Sequence, residues 1–261
     1  MASPRVFLLA GQSNLTGRAA AADLPAEERA PLAAVRFDAV DSLGADAATA
    51  GIRGHYRTDG WIDLRPSPKL PSTPGDHFGP ELSFGRTLAG RWPGRPLAIV
   101  KHGRGGTSLA EDWRADASSG LMLYAQFLDQ ARAALGRLGA DGAAPVLGAF
   151  VWAQGEADAT RQDWAESYHD HLQRLIGRVR ADLEAPGLPV VIALTGDGSR
   201  NPPMRYAAVV RDAQRRIVQA DPRAALVSGD DLSLMDPVHY DAAAQLILGR
   251  RLAEAYLTLC P

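Results

Sequence analysis

Cysteine is almost absent from this chain: one thiol, Cys260, stands among 261 residues, so neither an intramolecular disulfide nor a thiolate metal cluster can form. Structural zinc and dithiol redox chemistry are excluded on that ground, and nothing else in the chain calls for a cofactor or a metal. Lysine is nearly as scarce, occurring only as Lys69 and Lys101. Arginine carries the positive charge, a preference that points to no chemistry by itself. Excess charge is lacking too: the formal net charge is -2 with 22% charged residues, which leaves no basic stripe for a phosphate backbone and makes nucleic acid an unexpected partner. Long hydrophobic runs are missing. No stretch approaches the roughly 20 apolar residues that span a bilayer, and the apolar run at residues 6–10 is shorter than a signal-peptide core. A soluble protein without a membrane partner is expected, cytoplasmic or secreted and met here without its leader. Oligomeric state is not legible.

What is present is apolar sequence in short packets. With 46% hydrophobic residues the chain can bury a core of one domain spanning residues 1–261. Runs of strand length recur at residues 6–10, 35–40, 97–102, 146–154 and 190–195, several of them β-branched and unalternating, as suits strands buried on both faces. Helical spacing occupies residues 81–91, 121–138, 164–183, 203–219 and 242–259 between and after them. This alternation predicts an α/β protein, a three-layer α/β/α sandwich around a five-stranded parallel sheet. Residues 41–78 break the rhythm with Gly, Pro, Asp and Ser, and hold no amphipathic helix despite Ile52, Trp61 and Leu64. Loops that long are usually functional, so this one is placed over the rim of an active site.

Four polar segments follow strands or precede a helix, where ligands of parallel sheets bind. Gly11-Gln12-Ser13-Asn14 follows the first strand and reads either as a turn using residues with turn preferences or as the seat of a nucleophile. Residues 101–109, with Gly103, Gly105, Gly106, Thr107 and Ser108, form a Gly-rich turn whose N–H groups can approach an anion. It lacks the G-K-[ST] ending of a phosphate loop. In residues 150–158 a buried strand runs into Gln154, Glu156 and Asp158. Gln154 has an amide to offer an oxyanion, the two acids can form a carboxylate pair, and helix N-capping is the plainer reading, favoured for Asp158. Finally, Asp236 and His239 stand three apart before the last helix. That spacing lets the carboxylate hold one ring nitrogen while the other faces a hydroxyl.

Together the four segments resemble the blocks of the SGNH hydrolases, and more narrowly carbohydrate esterase family six and the sialate O-acetylesterases. The resemblance rests on G-Q-S-N, on G-G-T-S-L with the later Trp113, on W-x-Q-G-E-x-D and on D-x-x-H, and runs from residue 6 to about 252. It implies a flavodoxin-like fold and an esterase that needs no cofactor. Ser13 is then the nucleophile, His239 the base and Asp236 its partner. The oxyanion donors would be the Ser13 N–H, the Gly105 or Gly106 N–H and the Gln154 side chain, with Gln12, Asn14 and Glu156 in support. The substrate would be a small-molecule or oligosaccharide acetyl ester, such as acetylated xylan or sialic acid, with Tyr56 and Trp61 on the rim to stack on sugar rings. Gly79-Pro80-Glu81 also recurs in the family, in a role taken as structural. Leu15, Ala157 and Tyr240 replace a commoner Met, Ser and Phe. The elbow G-x-S-x-G of the α/β-hydrolases is excluded by Leu15 at its fifth place. Other short-chain acyl esters or thioesters on the same scaffold, and a catalytically silent sugar-binding protein, are the competing expectations.

Overall fold

The computed structural model describes residues 3–42, 56–69, 75–142 and 144–260. Its centre is β1 (Arg5–Gly11), whose side chains are buried from Val6 onward. β7 (Leu97–Arg104) and β8 (Val146–Ala153) pair with it in parallel on either side. β3 (Leu32–Ser42) continues the sheet beyond β7, while β9 (Val190–Ala193) and β10 (Ala224–Val227) continue it beyond β8, all parallel. Six parallel strands therefore stand where five were expected. The added strand, β10, is Ala-Ala-Leu-Val at the sheet edge with two half-buried positions, too short and alanine-rich to signal a strand. Two short strands, β4 (Tyr56–Arg57) and β5 (Ile62–Leu64), pair antiparallel with β3; apart from this sheet β2 (Ala19–Ala20) pairs antiparallel with β6 (His77–Phe78), and the single turn α2 (Ala26–Arg29) precedes β3.

Alternate side chains of β1 enter two cores. Val6, Leu8 and Ala10 pack with α4 (Leu123–Ala140), α5 (Gln162–Asp182) and α6 (Ala207–Ala220). Phe7 and Leu9 face α3 (Glu81–Arg91) and α7 (Ala242–Leu259), where Phe7 makes edge contacts to Phe84 and Tyr256 at 5.2 and 5.0 Å. Each large side chain so buried stabilises by about 1.5–3 kcal/mol, and the period of two explains why β1 reads as apolar throughout. Among the described residues no helix is long and apolar enough to cross a membrane.

The strand register aligns Gly11 with Gly103 and Ala153, and Gly103 with Asp41. The loops carrying three of the four polar segments thus leave the sheet together, at the carboxyl ends of its central strands. The expected rim at residues 41–78 departs from this. Residues 43–55 and 70–74, Ile52 among them, lie outside the described residues. Tyr56 pairs with Asp41 at the right end of the sheet, but Trp61 does not reach the rim. It precedes β5, packs half-buried against the α4 side of the core, and carries the Arg137 guanidinium 5.9 Å from its ring centre. Phe37, level with Ile62 across the sheet, pairs with Ile99 at mid-strand. An aromatic in a polar stretch reads as exposed, but here β5 turns it into packing.

Candidate active site

β1 delivers Gly11 to the carboxyl-terminal end of the sheet, where its φ is 155° and an added Cβ would lie 2.1 Å from Ala153 O, a fit only glycine allows. The chain then makes one helical turn, α1 (Ser13–Thr16), with Ser13 first and only 5% exposed. Gly17 ends the turn at φ 79°. Because the first N–H groups of a helix have no intrahelical acceptor, those of Ser13 and Asn14 are donors at the carboxyl end of β1.

The D-x-x-H pair arrives from the loop between β10 and α7, a helix capped by Asp241, whose carboxylate accepts from Ala244 N at 2.9 Å. His239 places Nε2 2.9 Å from Ser13 Oγ and Nδ1 2.7 Å from Asp236 Oδ2. An ionised carboxylate only accepts, so Nδ1 carries the proton and Nε2 is left to accept from the Ser13 hydroxyl. Asp236 Oδ1 accepts from the N–H groups of Val238 and His239, each at 2.8 Å. Burial opposes ionisation of Asp236, but those N–H groups and the imidazole outweigh it and hold the carboxyl below its usual range. The Arg18 guanidinium stands beside the pair, 3.8 Å from Asp236 Oδ2 and 3.3 Å from His239 Nδ1. It is a cation next to the carboxylate that sequence reasoning missed.

Asn14 binds the Ser13 turn to this loop. Its Nδ2 donates to Val238 O at 3.1 Å and to Glu156 Oε1 at 2.7 Å, and its Oδ1 accepts from Tyr240 N at 3.2 Å. Glu156 therefore holds Asn14, while both ring nitrogens of His239 are engaged by Asp236 and Ser13. Gln12 Oε1 accepts from Ala157 N at 3.3 Å, which ties the turn to the segment after β8.

The side-chain and loop donors expected for an oxyanion need correction. Gly105 N–H is spent on Ser42 O at 2.8 Å. Gly106, exposed at φ 72° with nothing within 4 Å of an added Cβ, is the glycine of that loop open to a ligand. The Gln154 amide is also committed: its two N–H bonds go to Thr107 O at 3.1 Å and Asp158 Oδ2 at 2.5 Å. Gln154 thus supports the glycine loop from below, and its hydrogens are not aimed at Ser13. Asp158 caps no long helix and makes no pair with Glu156. It lies in a short 3-10 turn and accepts from Leu109 N and Ala110 N at 2.8 and 2.9 Å. Burial raises its pKa to about 6 against the pull of those donors. Such partners belong to distant segments, so no local pattern announces them.

A second group missed by sequence reasoning lies beneath α1. Lys101 Nζ, in β7 and 0% exposed, donates to Thr16 O at 2.9 Å and meets Asp41 Oδ2 at 3.1 Å and Glu81 Oε2 at 3.0 Å. Both acids are equally buried, Glu81 Oε1 accepts from Gly79 N at 3.0 Å, and Ser67 Oγ donates to Asp41 Oδ2 at 3.0 Å. Burial disfavours the Lys101 charge, yet the two carboxylates overcome it and raise its pKa. Burial likewise opposes ionisation of Asp41, and Lys101 and His77 outweigh it. The structural role expected of Glu81 is this one. A lysine directly after the apolar run from Leu97 to Val100 was the available signal, because a buried charge needs a partner. Among the described residues no three His, Cys, Asp or Glu side chains gather as metal ligands.

A family model described as carbohydrate esterase, sialic acid-specific acetylesterase, matches residues 3–258. The probable carbohydrate esterase At4g34215 of Arabidopsis thaliana is 29% identical over 188 residues, 69% of this chain and 64% of that protein. The solved Arabidopsis structure superposes with a TM-score of 0.74 at 24% identity, covering 98% of each chain. NanS gives 0.70 at 18% identity, covering 99% of this chain and 98% of that one. A carbohydrate acetylesterase from Xanthomonas citri gives 0.67 at 20% identity, covering 98% of this chain and 56% of that one. At these identities the superpositions speak to the fold, which is that of the SGNH hydrolases. With a family model covering nearly its whole length, the chain belongs to the sialic acid-specific acetylesterase family of carbohydrate esterases.

Proposed function

We propose that the protein removes O-acetyl groups from a carbohydrate through an acyl-enzyme on Ser13. The observation that carries this reading is the hydrogen-bonded chain from Ser13 Oγ to His239 Nε2 at 2.9 Å and from Nδ1 to Asp236 Oδ2 at 2.7 Å, in a member of a carbohydrate esterase family. His239 takes the Ser13 proton as Oγ attacks the acetyl carbonyl, then returns it to the departing sugar alkoxide. Water, deprotonated by the same imidazole, releases acetate. Asp236 keeps the ring in the tautomer that leaves Nε2 bare, and the N–H groups of Ser13 and Gly106 receive the developing oxyanion, where one donor is worth about a hundred- to thousandfold in rate.

The test pairs two serines. Ser108 also follows a strand, but its hydroxyl and N–H are both directed to Asp112 Oδ2, at 3.2 and 2.7 Å. Ser13→Ala should abolish acetate release from a panel of acetylated sugars and labelling by a fluorophosphonate, whereas Ser108→Ala should keep both. Labelling at Ser108, or p-nitrophenyl octanoate turned over faster than the acetate, would overturn the proposal.

A further inference from the structure

The segment at residues 154–158, just after β8, reaches in two directions. Its middle holds the Ser13 turn: Glu156 Oε1 accepts from Asn14 Nδ2 at 2.7 Å, and Ala157 N donates to Gln12 Oε1 at 3.3 Å. Its ends hold the glycine loop after β7. Gln154 Nε2 donates to Thr107 O at 3.1 Å, and the Asp158 carboxylate accepts from Leu109 N at 2.8 Å and Ala110 N at 2.9 Å. Gln154 Nε2 also donates to Asp158 Oδ2 at 2.5 Å, so the two side chains form one support. On its other side the loop is fixed by Gly105 N, which donates to Ser42 O at 2.8 Å. Gly106 stands between these fixed points, with Gly105 before it and Thr107 after it.

We infer that Asp158 is a positioning residue of the acyl transfer: its ionised carboxylate holds the glycine loop, and with it the Gly106 N–H, in a fixed place relative to Ser13. This inference rests on the reading of Ser13 as nucleophile and Gly106 as oxyanion donor. Charge state matters here because a carboxylate only accepts. Oδ2 meets Leu109 N and Gln154 Nε2, and Oδ1 meets Ala110 N, all of them donors. A proton added to either oxygen would face a donor and displace it. Asp158 is 0% exposed, and burial brings its pKa up to about 6, helped by the like charge of Asp112. Of the other titratable groups around it, Asp112 is bonded to Ser108 N and Glu156 is turned to Asn14, while burial keeps Tyr168 of α5 a neutral phenol. The support is therefore complete at neutral pH and is lost as Asp158 takes up a proton below about 6.

The experiment measures kcat and KM for p-nitrophenyl acetate between about pH 8 and 5, counted per site labelled by a fluorophosphonate, in the unmodified protein and in Asp158→Asn. The amide puts N–H groups where an acceptor is needed, so it mimics the protonated acid. At pH 8 the variant should keep KM within about threefold and lose about tenfold to a hundredfold in kcat, as for an oxyanion donor moved out of place. Below about pH 6 the unmodified protein should lose log(kcat/KM) more steeply than one proton allows, because the imidazole base, a group ordinarily near 6.5, and Asp158 both titrate. The variant should show the slope of one proton. A kcat per labelled site unchanged in Asp158→Asn, whatever its yield of folded protein, overturns the inference, and so does a loss confined to KM. A one-proton slope in the unmodified protein overturns it too, and that slope is read even where the variant fails to fold. In each case turnover by the unmodified protein keeps the esterase reading. An unmodified protein that leaves p-nitrophenyl acetate intact overturns the esterase reading, and the inference with it.

Discussion

Replacing Lys101 by Met isolates the buried ionic group under the Ser13 turn. The methionine keeps an unbranched chain of similar length, so the principal change is loss of an ammonium held 3.1 Å from Asp41 and 3.0 Å from Glu81, all three side chains being 0% exposed. Removing one partner from such a group leaves uncompensated buried charge, which typically destabilises by about 3–5 kcal/mol. For a chain of this size each kcal/mol moves the midpoint by about 2–4 °C, so Tm should fall by roughly 6–20 °C. The effect should depend on pH, with a definite sign. In the parent protein the Asp41 pKa is depressed, so its stabilising contribution is complete above the unfolded carboxylate range and is lost only in acid. Without Lys101 burial raises that pKa, the folded state binds the extra proton, and stability falls as pH rises. The gap between variant and parent should therefore be wider at pH 8 than at pH 5. The exposed Lys69 supplies the control, since surface changes usually stay within about 0.5 kcal/mol. Thermal unfolding of Lys101→Met and Lys69→Met at both pH values reads the result. A loss below about 1 kcal/mol at pH 8, or one equal at both pH values, would refute the reasoning.

Asp236→Asn should lower kcat by orders of magnitude, about 10⁴-fold where the same exchange spoils a histidine tautomer in a serine protease, with little change in KM; a KM rise at intact kcat would make Asp236 a substrate contact instead. His102, whose imidazole burial pushes down to about 4, should make the fold acid-sensitive. Between about 6.5 and 4 the unfolded chain binds a proton that the folded one refuses, so about 3 kcal/mol is lost as pH falls through that window. In His102→Gln the urea midpoint should depend less on pH between 7 and 4.5, and an unaltered acid slope would count against it.

Which parts of this molecule were legible follows from the range of the forces that shape them. β1, β8 and the first half of β7 carry unalternating apolar runs, as strands buried on both faces do, and so announce a parallel sheet. The Ser13 and Asp236-His239 segments were legible because each is local: a turn after a strand, and a pair three residues apart. The oxyanion donors were not, because an N–H bond is committed by whatever lies opposite it in the fold. Gly105 lost its N–H to Ser42, and Gln154 lost its amide hydrogens to Thr107 and Asp158. Lys101 was passed over, because its partners Asp41 and Glu81 are 60 and 20 positions away. Trp61 was misjudged for the opposite reason: polar neighbours in sequence suggested exposure, while β5 turned the ring into packing.

The one-turn α1 cannot hold Ser13 by itself, since helices this short are unstable without tertiary support. Its support comes from every side. Gln12 N donates to Ala153 O at 3.0 Å, Lys101 Nζ donates to Thr16 O at 2.9 Å, and Gln245 Nε2 donates to Asn14 O at 3.2 Å. The bonds of Asn14 to Val238 and Tyr240 differ from these in kind. Asn14 is the neighbour of Ser13, and Val238 and Tyr240 are the neighbours of His239 on either side, so the two bonds bracket the serine–histidine contact and set its length. Residues 226 positions apart in the chain are thereby fixed to each other through their neighbours, before any substrate is bound. If Ser13 and His239 react as proposed, Asn14 is a positioning residue that touches none of the bonds that change, and its loss should lower the rate, since a displacement of about 1 Å at reacting atoms can cost about a hundredfold.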